Sequence, residues 1–320
     1  MIPQDLLLVK ILKIILFLLP EITLPKRRGR PFVYQPAVII CCLVVMVAKK
    51  LKVRSLHKVL LSQENDAVML TSVIPFPGGK IPNRRTFDRR FKQSLLSIQL
   101  YMLLAVAFLV KQVHLGIARL SLDNRMFPAV GAIWHRKDQK RGIIPRGVRN
   151  VDKTAGWGVS HYRGWVFGHG LDVFVTTGKL VLPVVAFART LVIRGNTATK
   201  QFAKLLPKAK KGVVAADAEY LDQKLADVLS QTGRSLHAPS KYYPENVPKS
   251  KTYQKRKVTA EPFFERFLQA FDFRQKLDRK GPQAWPYLVT CCFLYQLMVI
   301  HNIKEAKTNP LEVTHLIRML

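Results

Sequence analysis

Asp123 ends the apolar run Leu120-Ser121-Leu122, and Asp217 ends the apolar run Val213-Val214-Ala215-Ala216. Two strands that each terminate in an aspartate can bring both carboxylates to one edge of an open α/β sheet. Glu261 starts a helical pattern with Pro262 in its first turn, a favoured place for proline. The apolar face of that pattern is Phe264, Phe267, Leu268 and Phe271, and Glu261 at its edge is expected to be drawn toward the interior. Three converging carboxylates repel one another unless a cation joins them. Hard oxygen ligands favour Mg²⁺, with Mn²⁺ as substitute. Two such ions about 4 Å apart activate a nucleophile and stabilise the leaving oxygen in phosphodiester chemistry. Any one of these acids could simply cap or terminate its element. As a set they point to a metal site.

Charge says where that chemistry would be aimed. The chain has 320 residues, 52 Lys plus Arg against 20 Asp plus Glu, and a net charge of +32. Such a surplus opposes compaction unless a polyanion lies against it, and nucleic acid is the densest common one. With 48% apolar residues the chain can bury substantial cores, which excludes disorder as its main state. Other chemistries lack their residues. His135, His161 and His237 have no serine or cysteine partner at a recognisable spacing, and there is no GxxxxGK[ST] loop for a nucleotide. Cys41, Cys42, Cys291 and Cys292 form two vicinal pairs in apolar runs and read as buried thiols, not zinc ligands.

The elements that must position the acids change character along the chain. Residues 1–115 read as helical and basic, with helices expected at 5–19, 36–48 and 55–61 and a long one at 84–113. Residues 116–305 alternate strand and helix signals, with strands expected at 118–123, 165–176, 181–188, 213–217 and 235–238. Helices are expected there at 197–206, 219–230, 261–274 and 284–302, and residues 306–320 form a tail. Uncharged stretches at 31–48 and 94–110 approach the roughly 17–25 residues of a membrane span. Pro36, Ser94, Ser97 and Gln99 interrupt them and cations flank every side, so no membrane residence is expected. Lys10 and Lys13 inside the first apolar stretch argue against a signal peptide.

Four short segments, in order, resemble the insertion-sequence transposases of the DDE type, of the IS-four and IS-five kind. They are Ser121-Leu122-Asp123-Asn124, the run from Gly164 to Leu171, Val214-Ala215-Ala216-Asp217-Ala218-Glu219-Tyr220, and Tyr253-Gln254-Lys255-Arg256 followed by Glu261-Pro262-Phe263-Phe264. The resemblance covers about residues 119–302. It implies an α/β fold in which a ribonuclease-H-like mixed sheet is flanked by helices and preceded by an N-terminal helical basic region. It further implies that Asp123, Asp217 and Glu261 are the catalytic, metal-binding acids holding two Mg²⁺ ions, and that Tyr253 and Arg256 approach the phosphate beside the scissile bond. The chain departs from the family pattern in two places: four residues instead of three separate Arg256 from Glu261, and Leu268 stands where the family has lysine. Glu265, one turn further along, is the rival third acid. Glu219 reads as a first-turn helix residue, with a part in the metal site as the alternative.

Several basic segments could hold DNA. Arg28-Gly29-Arg30-Pro31 could enter a narrow minor groove or contact phosphates. Arg84, Arg85, Arg89, Arg90 and Lys92 begin the long helix and could present one cationic face. Lys208, Lys210, Lys211 and the tract around Tyr253, Arg256 and Lys257 are expected to hold phosphates near the acids. Trp157, Trp165 and His169 are candidates for stacking on an unpaired base, although aromatics on strands more often belong to the core. The expectation is a cytoplasmic transposase that hydrolyses a phosphodiester at a transposon end; transfer of the 3′-hydroxyl into target double-stranded DNA, by a homodimer, follows from the resemblance alone. The alternatives are an inactive transposase-derived DNA-binding protein, or a metal-dependent endonuclease without strand transfer.

Overall fold

The computed structural model describes residues 4–18, 33–160, 164–240, 251–256, 258–273, 277, 279, 281–305 and 309–320. In chain order it begins with helices α1 (Gln4–Leu18), α2 (Pro36–Ala48), α3 (Val53–Leu61), α4 (Asn65–Val73), α5 (Arg84–Lys92) and α6 (Leu95–Val113). Then come β1 (Arg119–Pro128), α7 (Arg136–Arg141), β2 (Gly156–Ser160), β3 (Gly164–Thr176), β4 (Pro183–Thr190), α8 (Gly195–Ala203) and β5 (Gly212–Ala216). The remaining elements are α9 (Gln223–Gln231), β6 (Arg234–His237), α10 (Lys251–Gln254), α11 (Ala260–Phe271), α12 (Ala284–Lys304) and α13 (Val313–Met319). By compactness the chain divides into one unit of Met1–Gln112 with Thr290–Leu320 and another of Val113–Val289. The second boundary therefore falls inside α12, whereas the sequence reading drew it at 305.

The first unit is helical. Helix α2 is apolar all round, and a helix of that kind belongs in a core. Every residue from Val38 to Ala48 is buried, Cys41 and Cys42 included, and burial pushes the Cys41 thiol up to about 12. The single helix expected at 84–113 is two. Ser94 returns its hydroxyl to the Phe91 carbonyl at 2.7 Å, the kind of local bond that competes with the helical ladder, so α5 ends at Lys92 and α6 starts afresh. Asn83 caps α5 by accepting from the Thr86 N–H at 2.8 Å, and Phe87 and Phe91 anchor its inner face. Helix α6 and the stretch Gly281–Lys304 are long and apolar enough to cross a membrane. The apolar window of the first is 39% buried and that of the second 94% buried.

The second unit is built on a mixed six-stranded sheet in the order β2-β3-β1-β5-β6, with β4 also paired to β3. Strand β3 runs antiparallel to β1, β2 and β4, while β1, β5 and β6 are parallel. Helices flank it: α11 packs on β1, α10 on β5 and β1, α8 on β4 and α9 on β6. Leu120, Ser121 and Leu122 are all buried, as a central strand covered on both faces requires. Strand β2 has no counterpart among the expected strands; it contains Gly156 and Gly158, and glycine weakens a strand's pattern. They are needed for close approach: a Cβ at Gly156 would come within 2.4 Å of Val192, and one at Gly168 on β3 within 2.0 Å of the Phe127 carbonyl. On α11 the buried face is Phe263, Phe264, Phe267, Ala270 and Phe271. Leu268, expected on that face, is half-buried, since the stripe turns further toward Phe263 and Ala270.

Candidate active site

In the parallel pair β1 and β5 the register sets Leu122 opposite Ala216, so the next residues, Asp123 and Asp217, lie side by side where that pairing stops. Asp217 follows the end of β5, but Asp123 does not end its strand as expected: β1 runs on to Pro128, held by its pairing with β3. Asp123 is nearly buried, with 15% of its side chain exposed, and Asp217 is half exposed at 50%. Arg256 reaches both: its Nη2 lies 2.8 Å from Asp217 Oδ1 and its Nη1 3.7 Å from Asp123 Oδ2. Burial pushes the Asp123 carboxyl up to about 7. The Arg256 charge and the Asn124 N–H, which donates to Oδ1 at 2.9 Å, oppose that rise, while the charges of Asp217 and Glu261 add to it.

Glu261 is thus close enough for its charge to act on Asp123. It is nevertheless exposed, as is Glu265 one turn further along, and the inward pull expected of it is not found. Its position in the first turn of α11, on the side away from the Phe stripe, keeps it at solvent. Among the described residues, no three Asp, Glu, His or Cys side chains are gathered closely enough to hold a metal ion, and Arg256 lies between the aspartates instead. The donor chemistry still fits a hard cation: carboxylate oxygens from adjacent strands, one of them raised by burial and by like charge.

Ser121 and Thr259 hold Arg256 and Glu261 in place. The Ser121 hydroxyl, two residues before Asp123 and fully buried, lies 3.0 Å from the Thr259 hydroxyl. Thr259 donates in turn to the Lys255 carbonyl at 2.9 Å. This clamp pins the turn between α10 and α11 to β1, with Arg256 three residues before it and Glu261 two residues after. No spacing rule finds a pair 138 residues apart; a lone serine inside an otherwise apolar strand was its one signal.

A second charged cluster braces the same edge. Glu219, in the short 3₁₀ turn Ala218–Tyr220, accepts from Asn124 Nδ2 at 3.0 Å and from the Gly195 N–H at 3.2 Å. Arg189 on β4 donates through Nε to Asp172 on β3 at 2.6 Å and lies 3.9 Å from Glu219, and the Tyr220 hydroxyl donates to Asp172. Asn124 and Asp172 are cross-strand partners, so the cluster leads directly to the residue beside Asp123. A Cβ at Gly195 would meet Asp172 and Glu219 oxygens at 3.0 Å, so a larger residue there would press on the cluster.

The DNA candidates fall in several places. Arg84, Arg85 and Arg89 are exposed on α5, and Lys208, Lys210 and Lys211 are exposed before β5. Tyr253 is half-buried on α10 and Arg256 is buried. Arg28, Arg30, Lys257 and His161 lie outside the described residues. Replacing Arg84, Arg85 and Arg89 together by glutamine is expected to reduce the slope of log affinity against log salt by about 2.7, or 0.9 per lost phosphate contact, for duplex DNA. Fluorescence anisotropy across a salt series checks it.

Two stacking candidates prove structural. Trp157 donates to the Trp134 carbonyl at 2.7 Å and packs against Phe167. His169 is fully buried; the Trp285 indole N–H donates to its Nδ1 at 3.1 Å, so Nε2 carries the proton and donates to Asp152 at 2.9 Å. Burial alone would push the Asp152 carboxyl up. Hydrogen bonds from His169, Thr154 and the Gly281 N–H outweigh it and hold Asp152 well below the usual carboxylate range. A depressed folded-state pKa contributes stability above the unfolded value, about 3.9, and loses it as pH falls below that. Asp152→Asn is therefore expected to lower stability by about 2 kcal/mol at pH 7 and to flatten the loss below pH 4, as read by denaturant unfolding at several pH values.

No family model, no curated protein and no solved structure matches this chain.

Proposed function

We propose that this chain is a DNA transposase of the DDE type, working by metal-dependent phosphodiester hydrolysis at transposon ends followed by strand transfer. The observation that carries the reading is the pair Asp123, inside β1 where its pairing with β5 stops, and Asp217, just past the end of β5, sharing Arg256, with Asp123 within the field of Glu261. The strand order, with β1, β5 and β6 parallel and β3 antiparallel between β1 and β4, supports taking the sheet as ribonuclease-H-like. The net charge of +32 supports double-stranded DNA as the substrate and the cytoplasm, where bacterial DNA lies, as the place of action.

Asp123, Asp217 and Glu261 would hold two Mg²⁺ or Mn²⁺ ions, which supply activation of a water and charge stabilisation at the leaving 3′ oxygen. The chain's own residues do the rest. Ser121 and Thr259 fix the turn that carries Arg256. Arg256, paired with the aspartates here, would be free to donate to the phosphate if cations took its place between the acids. The Glu219 and Asp172 cluster keeps the edge rigid. Two ends must meet for transposition, so the working form is a homodimer on DNA.

The test is joining. A precleaved end with a free 3′-hydroxyl, incubated with target plasmid and Mg²⁺, is expected to be inserted covalently, with the joint read on a sequencing gel. Nicking without joining would identify an endonuclease. Salt-sensitive binding with neither would identify a DNA-binding remnant.

A further inference from the structure

Between β1 and β2 the chain makes an excursion over residues 129–155 that the acidic site does not use. It is folded around its own small core of Ala129, Trp134, Ala155 and Phe167, with Ile144 and Val151 against it. It is also cross-braced: Trp134 Nε1 donates to the Ile143 carbonyl at 2.7 Å and Gln139 Nε2 to the Ala155 carbonyl at 2.9 Å. Asp152 ties it to His169 and to the Gly281 N–H.

The outside of this braced excursion is cationic. Arg136, Lys137, Lys140, Arg141, Arg146 and Arg149 are all exposed, Lys153 follows, and none of them takes part in an ion pair among the described residues. The acids in the same stretch are Asp138 and the buried Asp152. A rigid loop that holds so many like charges together is self-repelling unless an anion lies along it. The guanidinium of Arg136 lies 4.2 Å from the ring centroid of Trp165, which is 53% exposed. Stacking occupies the face of the guanidinium and leaves its N–H edge to donate.

Its place on the sheet gives it a partner. Strand β1 continues five residues past Asp123 to Pro128, roughly 17 Å at about 3.4 Å per residue, before the excursion begins. Phosphates along one strand of B-DNA are spaced about 3.4 Å apart along the axis, so the same length spans about five of them. We propose that the excursion is a second DNA contact, holding the duplex backbone about five phosphates from the bond that lies at the acidic edge. It rests on the acidic edge facing DNA.

Two measurements on the full chain test it. The first combines Arg136→Gln, Arg141→Gln, Arg146→Gln and Arg149→Gln, which leave the small core intact. The salt slope for a 40-base-pair duplex is expected to fall by about 3.6, at 0.9 per contact, with thermal unfolding unchanged. An unchanged slope would overturn the proposal. The second uses the four native cysteines being fully buried. An iron chelate attached after Lys140→Cys is expected to cut bound duplex DNA, as is one attached after Glu265→Cys beside the acids. Cutting from the Glu265 position alone overturns the proposal and leaves the reading of the acidic edge standing. Cutting from the Lys140 position alone removes the acidic edge as the place where DNA is cleaved and overturns the proposal with it, since its spacing is counted from that edge.

Discussion

Asp217→Ala is expected to reduce Mg²⁺-dependent cleavage of a transposon-end duplex by about 10³-fold or more while leaving duplex binding within about twofold. A carboxylate that fixes a catalytic cation contributes several kcal/mol to the transition state, and each 1.36 kcal/mol is tenfold in rate. On that reading binding rests on the Lys and Arg side chains, which the substitution leaves in place while freeing Arg256 from one of its partners. Asp123→Asn is expected to lose cleavage to the same degree while keeping its thermal stability, because the carboxyl it removes is buried and pushed up to about 7 by that burial and by neighbouring charges. Glu261→Gln loses cleavage and Glu265→Gln does not. Rate assays beside anisotropy on the same variants separate these effects. Loss of binding in parallel with cleavage would make the acids structural.

The largest stability effect is expected at Arg189, which is 3% exposed and bonded through Nε to an Asp172 that is 2% exposed. Arg189→Met leaves the Asp172 carboxylate buried with, among the described residues, only the Tyr220 hydroxyl as donor and removes the cation beside Glu219. Breaking a buried pair from one side costs about 3–5 kcal/mol, because the remaining charge stays desolvated. If the unit Val113–Val289 melts by itself, that lowers its Tm by roughly 10 °C, at about 2–4 °C per kcal/mol. Adding Asp172→Asn to Arg189→Met removes the stranded charge and is expected to restore a good part of the loss. Calorimetry on the two single variants and the double variant measures it. A double variant no better than Arg189→Met would mean that Arg189 acts by packing.

The two aspartates were legible because each closes an apolar run; that run marks a strand end at Asp217 but not at Asp123, where β1 goes on to Pro128. Their adjacency was not, since it depends on β1 and β5 being parallel neighbours in one register. Glu261 was found by its place at a helix start, but the direction of the stripe on α11 was misjudged by about one position, enough to leave it at solvent. Asp172 and Arg189 gave no signal, because a charged residue inside a strand declares a partner only once the strands are paired. Strand β2 was hidden by glycines that serve close packing. The break between α5 and α6 turned on one serine hydroxyl. The cations of residues 136–153 carry no helical or strand period and gained meaning only from the core beneath them.

The central claim is that Asp123, Asp217 and Glu261 hold divalent ions. Titration of Mn²⁺ into the protein with bound duplex DNA, followed by electron paramagnetic resonance, tests it most directly. The account predicts two ions bound per chain in the wild type, with loss of both in Asp123→Asn and in Asp217→Ala. Binding that is absent in the wild type, or unchanged in those two variants, would contradict it.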